Sequence, residues 1–263
     1  MIRYPDFDPV AISLGPLDIR WYGLMYLLGF LMVWLLALVR VKRPGAAVRR
    51  EQLDDMVFYG AIGAILGGRL GYTLFYGMEN VIADPLSLFR IWEGGMSFHG
   101  GLLGVIVALW YFARRIGRGF FEVTDFVVPL IPPGLGAGRI GNFINGELWG
   151  KPTDAPWGFV VDGTARHASQ LYQALLEGLV LFVCLWLYSA RPRPTMAVSG
   201  LFALLYGIFR FGAEFVRLPD EHLGYLAFGW VTMGQLLSVP LIVFGIFLLI
   251  AAYRRGDDVP ARA

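Results

Sequence analysis

Cysteine is nearly absent from this chain of 263 residues, with Cys184 as its single example. An intrachain disulfide is thereby excluded. Cys184 lies inside the apolar run Leu179–Tyr188, so it reads as a small core residue and not as a nucleophile. A surplus of either charge is missing too: 22 Lys and Arg against 20 Asp and Glu leave a net charge of +2, with the arginines scattered through short segments. Without a basic tract, no nucleic-acid partner is expected. Around His99 no second His, Cys or carboxylate stands at metal-ligand spacing, which argues against a metal site. The pattern of a cleaved signal peptide is also lacking. Met1–Arg20 carries Asp6, Asp8 and Asp18 among prolines, and the first long apolar run begins near Trp21, so that run is expected to stay as a membrane anchor.

Apolar sequence is abundant. Hydrophobic residues make up 57% of the chain and the mean hydropathy is +0.59, more than a soluble domain of this size normally carries. A span of roughly 20 apolar residues crosses the hydrocarbon layer, and about seven such spans are readable, near 20–39, 57–77, 96–113, 122–141, 169–189, 198–216 and 229–252. The fourth contains Pro129, Pro132, Pro133 and several glycines up to Gly141, which predicts a kinked or broken helix. Gly63-x-x-x-Gly67, Gly67-x-x-x-Gly71 and Gly100-x-x-x-Gly104 permit close helix contacts. Basic residues occupy alternate loops: Arg40, Lys42, Arg43, Arg49 and Arg50, then Arg114, Arg115 and Arg118, then Arg191 and Arg193, then Arg254 and Arg255. By the positive-inside rule those loops and the C-terminus face the cytoplasm and the N-terminus lies outside. The expected fold is all-α, a polytopic membrane protein forming one transmembrane helical domain over residues 1–263, with a small extracytoplasmic segment around 143–168.

Against this background three motifs stand out: FHGGLLG at 98–104, GRIGNFINGELWG at 138–150 and FRFGAEFVRLPD at 209–220. An arginine at the centre of a membrane helix costs about 2.5–3.5 kcal/mol on insertion scales, so several such groups together point to function. In the topology above, the ends at Arg20–Tyr22, His99, Arg139–Asn142, His167–Tyr172 and Arg210–Arg217 all fall on the outer face. Anchoring of helix ends at the interface is the plain alternative for any one of them. Arg139 and Asn142 offer a guanidinium and an amide among glycines, and a guanidinium fork suits phosphate. The hexamer GAGRIG at 136–141 fits a dinucleotide-binding spacing, but it closes a proline-broken apolar span where a preceding strand is required, so no nucleotide cofactor follows. Arg210, Glu214 and Arg217 stand at i, i+4 and i+7, so Glu214 can orient both arginines, with Tyr206 one turn earlier. A self-neutralised ion network is the competing reading of that trio. His99, between glycines, can take a proton from a nucleophile or serve as a structural hydrogen-bonder. Arg69 has no carboxylate at helical spacing and needs a partner from another helix or from a lipid phosphate.

These residues carry a resemblance. Arg20–Tyr26 (RWYGLMY), Gly67–Tyr72 (GGRLGY), Gly94–Gly101 (GGMSFHGG), Gly138–Gly150, His167–Tyr172 and Arg210–Asp220 are similar to the bacterial phosphatidylglycerol–prolipoprotein diacylglyceryl transferase family, along nearly the whole chain. The Gly138–Gly150 signature is the most specific. The resemblance implies an enzyme of the cytoplasmic (inner) membrane, with its active site on the extracytoplasmic side. Its implied partners are phosphatidylglycerol, the lipobox signal peptides of preprolipoproteins and membrane lipids. The implied reaction moves a diacylglyceryl group to the lipobox cysteine thiol, forms a thioether and releases glycerol 1-phosphate; no cofactor is implied. By the same resemblance His99 is the base, Arg139, Arg210 and Glu214 complete the catalytic set, and Tyr22, Asn142, Gly150 and Tyr206 match positions on which the family depends. Arg69, Glu147 and Arg217 join the candidate substrate-binding residues. The segment Lys151–Arg166 is shorter than the family often has there. A lipid transporter or flippase using the same arginines is the alternative class, although no second copy of the HGG or GRIGN blocks marks an internal repeat.

Overall fold

The computed structural model describes residues 1–5, 7–15, 17–90, 94–219 and 224–255; Asp6 and Asp220, named above, lie outside the described residues. The chain is mostly helical. In order the helices are α1 (Trp21–Arg40), α2 (Leu53–Tyr72), α3 (Met78–Ala83), α4 (Phe98–Arg115), α5 (Phe120–Val127), α6 (Pro132–Ile144), α7 (Ser169–Gln173), α8 (Leu181–Tyr188), α9 (Ala197–Ala213) and α10 (Met233–Arg255). Each of the seven anticipated apolar stretches carries helix. By length and composition three are continuous candidates for crossing a membrane: Trp21–Arg40, Ser169–Tyr188 and Met233–Arg255. The sharply bent pair Phe98–Arg115 and Phe120–Leu130 is long and apolar enough only when taken together. α2 carries Asp54, Asp55 and Arg69, which lower its apolar character, and α9 is shorter, with 17 residues.

The helical expectation holds in the main, and among the described residues five short strands are added to it: β1 (Ile2–Arg3), β2 (Val10–Leu14), β3 (Leu17–Arg20), β4 (Phe159–Val161) and β5 (Thr164–Arg166). β2 and β3 form an antiparallel pair, and β4 is flanked by β1 in parallel and β5 in antiparallel register. Asp162 and Gly163, both at positive φ (49° and 76°), make the two-residue turn between β4 and β5. An Asp-Gly turn of that form matches the twist of a hairpin. The fourth apolar stretch resolves into α5, a 3-10 turn at Val128–Leu130 and α6, broken where Pro129 and Pro132 remove backbone donors.

Two compact units divide the chain: Ala37–Phe126, and Met1–Leu36 with Val127–Ala263. In the first, α2 and α4 cross almost backbone to backbone. A Cβ at Gly63 would stand 2.6 Å from the Gly104 carbonyl oxygen, and one at Gly71 would stand 2.7 Å from Gly100 Cα. The anticipated small-residue spacings therefore do form the helix contact. Ser97 starts α4, accepting a hydrogen bond from the Gly100 N–H at 3.2 Å, and Arg114 and Arg115 close it against the helix dipole. In the second unit, Val128, Leu181, Leu185 and Val198 form a buried cluster packed by Leu201, Leu205 and Phe209 of α9. α9 and α10 pack through Gly200, Gly207 and Gly245, where a Cβ at 207 would stand 2.7 Å from Ile242 Cγ1. Outward-facing apolar side chains such as Leu27, Leu31 and Leu35 on α1, or Val243 and Phe247 on α10, remain exposed at helical spacing. A lipid-facing stripe is the physical reading of that pattern.

Gly104→Ala tests the α2–α4 crossing. A Cβ there falls on the Gly63 carbonyl, so one helix must shift, at about 1–3 kcal/mol for an overpacked contact. Thermal unfolding in detergent should show a lower midpoint for the variant; an unchanged midpoint would mean that the helices are not in backbone contact.

Candidate functional site

The site in the second unit begins with the end of α6. Pro132 and Pro133 start this helix at positions where missing backbone donors do no harm, and its last two turns present Arg139 and Asn142. After Ile144 the chain curls back, and the Asn142 side-chain amide donates to Glu147 Oε1 at 2.7 Å, with Asn145 adding a longer bond at 3.4 Å. Gln170 of α7 donates to the Glu147 carbonyl, and Ser169 donates to the Leu148 carbonyl at 2.6 Å. Tyr4 reaches over from the N-terminal segment to the Phe143 carbonyl at 2.7 Å, inside an aromatic group with Phe143 and Trp149. Gly150 is enclosed on two sides. Its N–H donates to the His167 carbonyl at 2.8 Å, and a Cβ would stand 2.5 Å from the Val216 carbonyl and 2.9 Å from His167 Cβ. Gly150 thus joins the signature to the strand-like pairing with Arg217 and to the approach to α7. Its contribution is space, with no side chain offered to a substrate.

Glu214 is the second anchor. Its carboxylate is 3% exposed and takes an ion pair from Arg210 at 2.7 Å and one from Arg217 at 3.2 Å. The i, i+4, i+7 reading anticipated both contacts, although α9 ends at Ala213 and Arg217 arrives through a turn. The Thr232 hydroxyl adds a third donor, at 2.5 Å to Glu214 Oε2. Thr232 and Gln235 also form a reciprocal cap at the start of α10, Thr232 N–H to Gln235 Oε1 at 3.0 Å and Gln235 N–H to Thr232 Oγ1 at 3.2 Å. Gly234 leaves room for the carboxylate, since a Cβ there would stand 2.5 Å from Glu214 Cδ. A buried carboxylate with two guanidinium partners and a hydroxyl is compensated, whereas one without them would be strongly destabilising. Arg210 keeps one orphan: its Nη1 is buried and has no hydrogen-bond partner among the described residues.

Arg139 meets a carboxylate that the motif reading passed over. Glu177, none of whose surface is exposed, stands 3.6 Å from Arg139 Nη2. Its signal was present in the sequence: a single acidic residue inside the apolar run from Leu175 to Tyr188. Coulombic range links the rest, with Glu177 facing Arg139, Arg210, Arg217 and Glu214, and Tyr206 facing Glu177, Arg210 and Arg139. Tyr22, hydrogen-bonded to Tyr26 at 3.1 Å, lies in range of Glu147 and Arg139. Eight of the anticipated residues, Tyr22, Arg139, Asn142, Glu147, Tyr206, Arg210, Glu214 and Arg217, are thus connected by bonds or charge.

His99 and Arg69 belong to the unit Ala37–Phe126. His99 is an exposed residue in the first turn of α4 with its ring edge-on to Phe98 at 5.7 Å, and among the described residues its imidazole has no hydrogen-bond partner. Arg69 does have partners: its guanidinium donates to the carbonyls of Ser87, Leu88, Gly94 and Gly95 and covers the Tyr72 ring. Those bonds give it the work of shaping the approach to α4. The required partner is therefore backbone from its own unit.

Residues 9–251 match the family described as prolipoprotein diacylglyceryl transferase. The chain belongs to that family. It is 63% identical over 252 residues to the phosphatidylglycerol–prolipoprotein diacylglyceryl transferase of Oleidesulfovibrio alaskensis, covering 95% of this chain and 94% of the relative. It is 61% identical to the protein of the same name from Solidesulfovibrio magneticus, with 98% of both covered. With the one from Pseudomonas aeruginosa it shares 58% identity over the full length of each. Membership in this transferase family, together with the apolar helices, makes the chain a membrane-bound transferase and does not favour a flippase.

Gly234→Ala should disable the transferase while leaving it folded. The added methyl displaces the Glu214 carboxylate, and a misplacement of about 1 Å in a catalytic constellation costs up to about a hundredfold. Full activity of a well-folded Gly234→Ala protein would show that the carboxylate position is not critical.

Proposed function

We propose that this chain transfers the diacylglyceryl group of phosphatidylglycerol to the thiol of the lipobox cysteine of a preprolipoprotein, forming a thioether and releasing glycerol 1-phosphate. The observation that carries the phosphate site is the buried, unpartnered Nη1 of Arg210, held in place through its other nitrogen by Glu214. A fixed guanidinium with a free donor in a buried setting is suited to an oxygen of a phosphate ester and to the charge that develops as it leaves. In this reading Arg139 and Arg210 clamp the phosphate and Glu214 orients Arg210. Asn142 and Tyr206 position the headgroup; Tyr22, Glu147, Gly150 and Arg217 shape its surroundings, and Arg69 supports the approach to α4. His99 takes the thiol proton, since only the thiolate is an effective nucleophile.

The proposed setting is the bacterial inner membrane, crossed about seven times, with the N-terminus and the active site outside and the C-terminus in the cytoplasm. Support comes from the basic loops, which all follow the odd-numbered spans, and from the helix found at each expected span. The chain is then one transmembrane domain, and residues 143–168, with the β4–β5 hairpin, form its small extracytoplasmic segment.

Purified protein, labelled phosphatidylglycerol and a lipobox peptide provide the assay. Arg139→Ala and Arg210→Ala should each abolish lipidated peptide while the protein remains inserted; near-normal transfer by both would sink the phosphate clamp. His99→Gln should lose most activity and flatten the acid limb of the pH profile. Retained activity with an unchanged profile would assign His99 to positioning.

A further inference from the structure

Glu177 has no role in the reaction as described, yet its placement is set by the backbone. α6 and the π-helical turn Ala174–Val180 cross at two glycines: a Cβ at Gly178 would stand 2.8 Å from Gly136 Cα, and one at Gly136 would stand 3.2 Å from Gly178 Cα. Glu177 immediately precedes Gly178, and Arg139 lies one turn beyond Gly136. The crossing therefore brings carboxylate and guanidinium together at 3.6 Å. π-helical turns are rare and concentrate at functional positions. At this distance the pair is an ion pair longer than a hydrogen bond, and both Glu177 oxygens are buried with no hydrogen-bond donor among the described residues. Glu177 acts on its surroundings through charge.

The sign and amount of that charge matter. Glu177 pairs with Arg139 at 3.6 Å and lies in coulombic range of Arg210 and Arg217, so its carboxylate lowers the positive charge of the arginine cluster by one. A phosphodiester such as the phosphatidylglycerol headgroup has one negative charge. A phosphate monoester carries about 1.5 to 2 negative charges at neutral pH, its second pKa being near 6. We infer that Glu177 is a positioning residue that removes one positive charge from the arginine cluster, so that the singly charged diester substrate is favoured over the more highly charged monoester product, which is released. The inference rests on the phosphate clamp proposed above. It makes Glu177 a determinant of headgroup charge specificity and of product exit, acting through Arg139.

The test uses the full-length enzyme with Glu177→Gln, which removes the charge, and Glu177→Asp, which keeps it. Two inhibitors serve as probes at neutral pH: glycerol 1-phosphate, a monoester, and glycerophosphoglycerol, a diester. Glu177→Gln should tighten inhibition by the monoester about tenfold more than inhibition by the diester, the scale of one added charge in a partly desolvated site. Its kcat should fall without a rise in KM for phosphatidylglycerol, and Glu177→Asp should keep the parental inhibition ratio. The parent enzyme should itself prefer the diester, which keeps the inference testable if Glu177→Gln does not fold. A folded Glu177→Gln whose ratio matches the parent, or a parent that prefers the monoester, overturns the inference. Arg139→Ala and Arg210→Ala separate the two levels. If they too leave both inhibitors unaffected, the phosphate clamp fails; if they weaken both while Glu177→Gln leaves the ratio unmoved, only the role of Glu177 fails.

Discussion

The Glu214 carboxylate is the interaction on which the site depends. Two arginines in an apolar helix end repel one another and lose hydration, and neither would stay in a defined position without a counter-charge. Glu214 supplies that charge from within the same chain segment, at 2.7 and 3.2 Å, and is itself fixed by the Thr232 hydroxyl at the cap of α10. One residue thus joins the end of α9 to the start of α10. The consequence is an Arg210 whose orientation is set by the fold, which is what the proposed phosphate role requires for electrostatic stabilisation without reorganisation.

Glycine is the second constraint, acting through backbone proximity. Gly136 against Gly178 sets how far α6 can approach the π-helical turn and therefore where Arg139 meets Glu177. Gly234 leaves space for Glu214, and Gly150 fits between Val216 and His167. At these positions the missing side chain carries the information. In lipid, where apolar burial gives little drive for helix association, such close backbone contacts supply much of the packing energy.

Legibility along the chain followed the range of the interactions. Hydropathy located every long helix, because a helix satisfies its own backbone and needs only a continuous apolar sequence. The Arg210, Glu214 and Arg217 contacts were readable because their partners lie within one or two turns, even though α9 stops at Ala213. The strands were missed: they are two to five residues long, their strongest signal is the Asp162-Gly163 turn, and β1 pairs with β4 across more than half the chain. Glu177 was visible as a lone carboxylate in an apolar run, but nothing local named its partner. Arg69 was recognised as needing a partner, and no spacing rule could point to the carbonyls of Ser87, Leu88, Gly94 and Gly95.

Residue order alone was sufficient for the helical membrane character, for the basic alternate loops and for the family resemblance, because hydropathy, charge and motif spacing are properties of contiguous sequence. Folding in three dimensions supplied the Arg139–Glu177 pair, the Thr232 bond to Glu214 and the enclosure of Gly150. Each joins segments tens of residues apart, or across a loop, through a helix crossing or a backbone pairing. Such contacts are selected by the packing of whole elements, and short-range sequence patterns carry no record of them.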